Sequence, residues 1–245
     1  MKTLLMAATA LFLSGLARAE ADYVRERRWA DEIVPAIVVG EPVYLEAAGH
    51  KFLALHVPRR NAAAGLVIVH GMGVHPDWGL IGPLRTGLAD AGYATLSIQM
   101  PVLSADAEAE RYNALFPEAA KRIESAIAFL RTGGVRKVAI VSHSIGARMA
   151  NYFLANSTAP RVDAWVAIGI PGDYVQTETL RLPVLDIYGE GDFPALLSNA
   201  EKRADAIRAL RGSAQVEVAG ADHFFNGHES ALVKYIQRFL DRALR

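Results

Sequence analysis

The chain is 245 residues long and 52% hydrophobic, and its 26 basic and 26 acidic side chains cancel to a formal net charge of zero. That is enough apolar material for one domain with a full core, and there is no basic excess of the kind that nucleic acid or an acidic lipid surface requires. Cysteine is absent, which excludes a disulfide framework, a lipid-bearing N-terminal cysteine and a thiol nucleophile.

Residues 1–19 stand apart: Lys2 gives a positive start, 4–16 an apolar stretch, and Ala17-Arg18-Ala19 a small-x-small cleavage site before Glu20. This pattern reads as a secretory signal peptide. The apolar stretch falls short of the ~20 residues of a spanning helix. The mature protein, one domain over 20–245, is therefore expected outside the cytoplasm, periplasmic or extracellular, without stable membrane insertion. Loss of Lys2 and Arg18 leaves 24 basic against 26 acidic side chains, a balance suited to a small uncharged partner and not to nucleic acid. It sets no oligomeric state.

Residues 20–42 are charged and then apolar without a clear period, and no role is assigned to them. Two strand-like runs at 43–47 and 51–57 flank Ala48-Gly49-His50, a hairpin signal; His50 and His56 read as solvated or packing residues. The run 66–70 has the unbroken apolar character of a strand covered on both faces, and it enters Gly71-Met72-Gly73. Beyond it, Asp77 reads as a cap for an amphipathic helix at 80–91. His75 and Trp78 are candidates for the mouth of a site, with packing against the sheet the more ordinary role for each. A strand follows at 94–99. Residues 101–116 are polar and alanine-rich and suit either a cleft rim or a surface segment. A helix at 118–131 is stopped by Gly133-Gly134.

Residues 138–141 form another buried strand, ending at Ser142. The chain then turns through Ser142-His143-Ser144-Ile145-Gly146 into a helix. Ser144 sits on the turn, with small residues two before and two after it, as a crowded strand-to-helix junction demands. Strands at 164–170 and 183–189 are separated by only 171–182. The second enters Glu190-Gly191-Asp192, followed by a helix at 195–210 for which Asp192 could also serve as a cap. A last strand at 215–219 leads to Gly220-Ala221-Asp222-His223, and a terminal helix runs over 229–245.

On these motifs the chain resembles the α/β-hydrolases. The elbow Ser142-x-Ser144-x-Gly146 is similar to the family's Gly-x-Ser-x-Gly, with a serine in place of the first glycine. His70-Gly71 looks like the start of the family's oxyanion loop. The strand ending Gly189-x-x-Asp192 matches the acid position, and His223, after the final strand, matches the general base. The resemblance implies a mostly parallel sheet covered by helices on both faces, a Ser144, Asp192, His223 triad in the family's chain order, and an oxyanion hole from the backbone N–H groups of Met72 and Ile145. Glu190 is the alternative acid; Asp173 is a third, and Asp186 lies too deep in its strand. The implied activity is that of a serine hydrolase, esterase-like, acting on a small-molecule acyl substrate. The alternatives are a catalytically silent binding protein and an acyltransferase using the same acyl-enzyme. The short 171–182 interval leaves no room for a helical cap.

No cofactor is implied. Gly71-Met72-Gly73-Val74-His75-Pro76 lacks the third glycine of a dinucleotide loop, and the seven histidines show no metal-binding spacing.

Overall fold

The apolar runs all enter one sheet. A computed structural model describes residues 20–157 and 162–245, so the signal-peptide reading of 1–19 falls outside the described residues. The strands are β1 (Glu41–Ala47), β2 (His50–Val57), β3 (Gly65–Val69), β4 (Ala94–Ile98), β5 (Val138–His143), β6 (Ala164–Ile168), β7 (Val184–Gly191) and β8 (Ala214–Asp222). They lie side by side in the order β1-β2-β4-β3-β5-β6-β7-β8. β1 with β2 and β2 with β4 are antiparallel; every later pair is parallel.

The central strands are apolar throughout because both faces are covered, and the pleat divides their side chains between two cores. Val67, Val69, Ile140 and Trp165 face one core with helices α3 (Phe116–Thr132) and α4 (Ile145–Asn156). Leu66, Ile68, Val141 and Val166 face the other with α2 (Ile81–Asp90) and α7 (Glu229–Ala243). Parallel neighbours place the C-terminal ends of β3, β5, β7 and β8 at one edge, where a doubly covered sheet carries its ligand site.

Residues 20–42, without a role in the sequence, form a helix, α1 (Tyr23–Ile33). It is held by polar contacts and by Tyr23, Trp29 and Ala30, which pack on apolar clusters of the sheet. Asp22 caps it by accepting from the Arg25 N–H at 2.9 Å. Buried Glu26 pairs with the guanidinium of buried Arg122 on α3 at 2.8 Å and accepts from the Val102 N–H.

Several local expectations are corrected. Asp77 does not cap α2; its carboxylate takes the Arg85 guanidinium at 2.6 Å, and α2 has no side-chain cap. The helix expected at 195–210 is broken into α5 (Pro194–Leu197) and α6 (Ala200–Ile207), where the Asn199 and Ser198 side chains bond back to the Ala195 carbonyl and compete with the helical ladder. Asp192 is not its cap residue. That position belongs to Phe193. Residues 109–115 form a 3-10 turn with Tyr112 buried. β5 also runs past Ser142 to His143.

Candidate active site

Ser144 lies between β5 and α4 with φ 56° and ψ −129°, a backbone conformation that a non-glycine residue holds only when its surroundings enforce it. The enforcement is visible on both sides. The Ser144 N–H bonds the Ile168 carbonyl at 2.9 Å. At Gly146 a Cβ would come within 2.1 Å of the His70 carbonyl oxygen, so the helix reaches the sheet this closely only with glycine there.

At the other small position the chain departs from glycine, and the structure gives the reason. The hydroxyl of buried Ser142 donates to the Val166 carbonyl at 3.1 Å and accepts from the indole N–H of buried Trp165 at 2.9 Å. It supplies the partner that a buried indole N–H needs.

β7 and β8 carry the other two side chains to the same edge. A register shift after Gly189 pairs Gly191 with Asp222; a Cβ on Gly189 would lie 2.3 Å from the Ala221 carbonyl oxygen. The result is a hydrogen-bonded line. His223 Nδ1 lies 2.7 Å from Asp192 Oδ1, and His223 Nε2 lies 3.0 Å from Ser144 Oγ. Facing a carboxylate, Nδ1 carries the proton, which leaves the Nε2 lone pair to accept the serine O–H. Asp192 Oδ1 also accepts the Phe193 N–H at 2.7 Å, while its buried Oδ2 has no partner. Gly169, at φ +54°, closes the other side of the pair: a Cβ there would stand 3.1 Å from the imidazole and 3.3 Å from Asp192 Oδ2.

Two further histidines, His70 of the His70-Gly71 motif and His143 of the elbow, hold the backbone around this line. His143 Nε2–H donates to the His223 carbonyl at 2.9 Å. Burial, reinforced by the nearby His223, lowers its pKa to about 4, so its ring is neutral. His70 Nδ1–H donates to the Gly71 carbonyl at 2.8 Å, and its Nε2 accepts the Met100 N–H at 2.9 Å. Burial lowers its pKa to about 3. Because the Gly71 carbonyl and the Met72 N–H belong to one planar peptide, this bond fixes where that N–H points. The loop passes close to the serine, since a Cβ on Gly71 would lie 3.2 Å from Ser144 Cβ. Ile145 opens α4, where backbone N–H groups have no acceptor within the helix. The signal for both histidines was present in their motifs, at a strand's end beside a glycine and inside the elbow.

The loop is tied from outside by α1. The Arg25 guanidinium donates to the Gly73 carbonyl at 3.1 Å and the Leu103 carbonyl at 2.7 Å. Around the line stand exposed aromatics. Phe193 lies over His223 with ring centroids 4.4 Å apart, Phe224 meets its edge at 5.1 Å, and Trp78 meets Phe224 at 5.9 Å. Trp78 is 41% exposed, so the packing role expected for it is corrected: it stands at the mouth. His75 instead packs edge-on against Trp29 of α1.

The alternative acids are elsewhere. Glu190 accepts the Gly220 N–H, Asp173 pairs with Lys202 on the surface, and Asp186 is buried against Arg203. A surface cavity of about 620 Å³ beside Leu180 and Leu210 contains none of the aligned side chains, so chemistry and not concavity locates the site. Among the described residues no group of three or more His, Asp or Glu could hold a metal ion, and no helix is long and apolar enough to cross a membrane.

Residues 36–121 match the model of a family described as "Protein of unknown function (DUF3530)". No curated protein matches the chain. Among solved structures the chain is similar to a dienelactone hydrolase from Anabaena variabilis, with 23% identity, 83% of this chain and 97% of that one covered, and a TM-score of 0.67. It is also similar to Est1E from Butyrivibrio proteoclasticus, at 15% identity, 83% and 98% coverage and a TM-score of 0.66. For an esterase from Pyrococcus furiosus the values are 12%, 82% and 92%, and 0.67. With its mostly parallel eight-stranded sheet and these likenesses, the chain has the α/β-hydrolase fold.

Proposed function

We propose that the protein is an exported serine hydrolase that cleaves carboxylic esters through a covalent acyl-enzyme. The observation that carries this reading is the line from Asp192 through His223 to Ser144, with contacts of 2.7 and 3.0 Å, ending on a serine in a strained turn. In the proposed reaction Ser144 Oγ attacks the acyl carbon as its proton passes to His223 Nε2, and the carbonyl oxygen becomes an oxyanion facing the Met72 and Ile145 N–H groups. Asp192 keeps the imidazole in the tautomer that accepts at Nε2 and stabilises the imidazolium. Nε2–H then gives its proton to the departing alcohol oxygen as the carbon–oxygen bond breaks. Water, deprotonated by the same imidazole, releases the acid and restores the serine. Solved structures of the same fold include an esterase from Pyrococcus furiosus and an esterase domain from Rhodothermus marinus, which supports this chemistry over a silent binding role.

Labelling with a fluorophosphonate tests the proposal. Mass mapping should place the adduct on Ser144, absent in Ser144→Ala and retained in Ser142→Ala. Absence of any adduct on folded protein refutes the nucleophile. For export, the expected N-terminus of protein recovered from its own host is Glu20; recovery with Met1 intact contradicts it.

A further inference from the structure

Of the ten large apolar side chains exposed among the described residues, Met72, Trp78, Phe193 and Phe224 sit on the loops that carry the oxyanion segment, Asp192 and His223. Three of them are aromatic and gather on one side, around the imidazole. Phe193 lies tilted over the His223 ring, Phe224 stands nearly perpendicular to it at 83°, and Trp78 meets Phe224 at 74°. Phe193 and Phe224 are themselves at 87°, so the three rings form one exposed edge-to-face aromatic patch beside the imidazole.

The patch is built to stay in place. Asp222 accepts the backbone N–H groups of Phe224 and Asn226 at 3.0 and 3.1 Å. Phe225 takes φ 54° and is fully buried. This left-handed residue sends one phenyl ring into the core and leaves its neighbour at the surface, at a conformational cost that a plain solvent loop has no reason to carry. Phe193 is fixed through its N–H on Asp192.

We propose that Trp78, Phe193 and Phe224 are the leaving-group subsite, and that it selects esters of aromatic alcohols. The inference rests on the Ser144 hydrolase reading. In that reaction the departing oxygen must come within hydrogen-bond reach of His223 Nε2 to receive its proton, so the group it carries lies against whatever surrounds the imidazole. The acyl chain has no such requirement. Flat rings gain offset and edge-to-face contacts with fixed aromatic walls beyond the area they bury, whereas a saturated group of equal bulk gains area alone. The patch therefore discriminates by the alcohol, and by its aromaticity more than its size.

The test uses full-length mature enzyme and acetate esters of 2-naphthylmethanol, benzyl alcohol, cyclohexylmethanol and ethanol, chosen because the alcohols have similar acidity and share one acyl-enzyme. Fluorophosphonate titration first counts active Ser144; failure to label overturns the hydrolase reading itself. With labelling complete, kcat/KM should fall in the order given, and the naphthylmethyl-to-ethyl ratio should drop roughly two- to tenfold for each ring removed in Trp78→Leu and Phe224→Leu. Tyr44→Leu, an exposed aromatic on the edge strand β1, should leave that ratio alone. A flat alcohol series, or a cyclohexylmethyl ester as good as the benzyl one, overturns the proposal. It is equally overturned if Trp78→Leu abolishes binding to phosphatidylcholine vesicles without moving the ratio, which would make the rings a lipid-surface patch.

Discussion

Replacing Ser142 by alanine isolates the one departure from the family's elbow. The hydroxyl removed is buried between an indole donor at 2.9 Å and a carbonyl acceptor at 3.1 Å. Its loss leaves the Trp165 N–H, fully enclosed, without a partner, which costs about 1–3 kcal/mol. Glycine, the family's own residue, should be worse by a further ~0.5–1 kcal/mol of backbone entropy. Urea unfolding at neutral pH reads the difference directly, and for a chain of this size each kcal/mol corresponds to about 2–4 °C in Tm. In a Trp165→Phe background the donor is gone, so Ser142→Ala should cost clearly less. The reasoning is refuted if Ser142→Ala costs under ~0.5 kcal/mol, or costs the same whether or not the indole is present.

Asp192→Asn should lower kcat/KM by about four orders of magnitude by favouring the imidazole tautomer that cannot accept at Nε2; a loss below ~tenfold in folded protein contradicts the assignment. Gly169→Ala places a methyl 3.1 Å from the His223 ring at a backbone angle alanine resists, and turnover should fall about ten- to hundredfold with a native circular dichroism spectrum; undiminished turnover would show that the imidazole has room to spare. Acid should weaken the fold. His70 and His143, lowered by burial to about 3 and about 4 from 6.5, stay neutral when folded and take up protons when unfolded, so stability drops as pH falls from ~6.5 towards those values. At pH 5 each costs on the order of 2 kcal/mol, and equal urea midpoints at pH 7.5 and 5 would contradict this.

The strands were legible because a sheet covered on both faces requires unbroken apolar runs, which little else in a chain this polar at its turns produces. Their order was not. That β4 inserts between β2 and β3 is decided by crossovers that leave no local trace. Helix α1 escaped the sequence because its only buried residues are Glu26 and Ala30, so the apolar face formed by Tyr23, Trp29 and Ala30 is broken by the carboxylate at its centre. Asp192 and His223 could be put forward from the sequence through the strands that deliver them. Phe193 and Phe224 were passed over because nothing in their neighbours tells a core ring from an exposed one; the turn at Phe225 decides it, and backbone angles are not written in composition.

The ties of α1 also set an order of assembly. It leaves the ribosome before any strand, yet Arg25 bonds groups 48 and 78 positions later and Glu26 a guanidinium 96 positions later. Contacts so distant in sequence form only after long loops have closed. The Arg25 tie on the loop bearing Met72 is therefore completed only after α3 has been made and packed. Loosening runs in reverse: release of α1, held by Arg25, Glu26 and the packing of Tyr23, Trp29 and Ala30, would free the Gly73 loop while the sheet still stands.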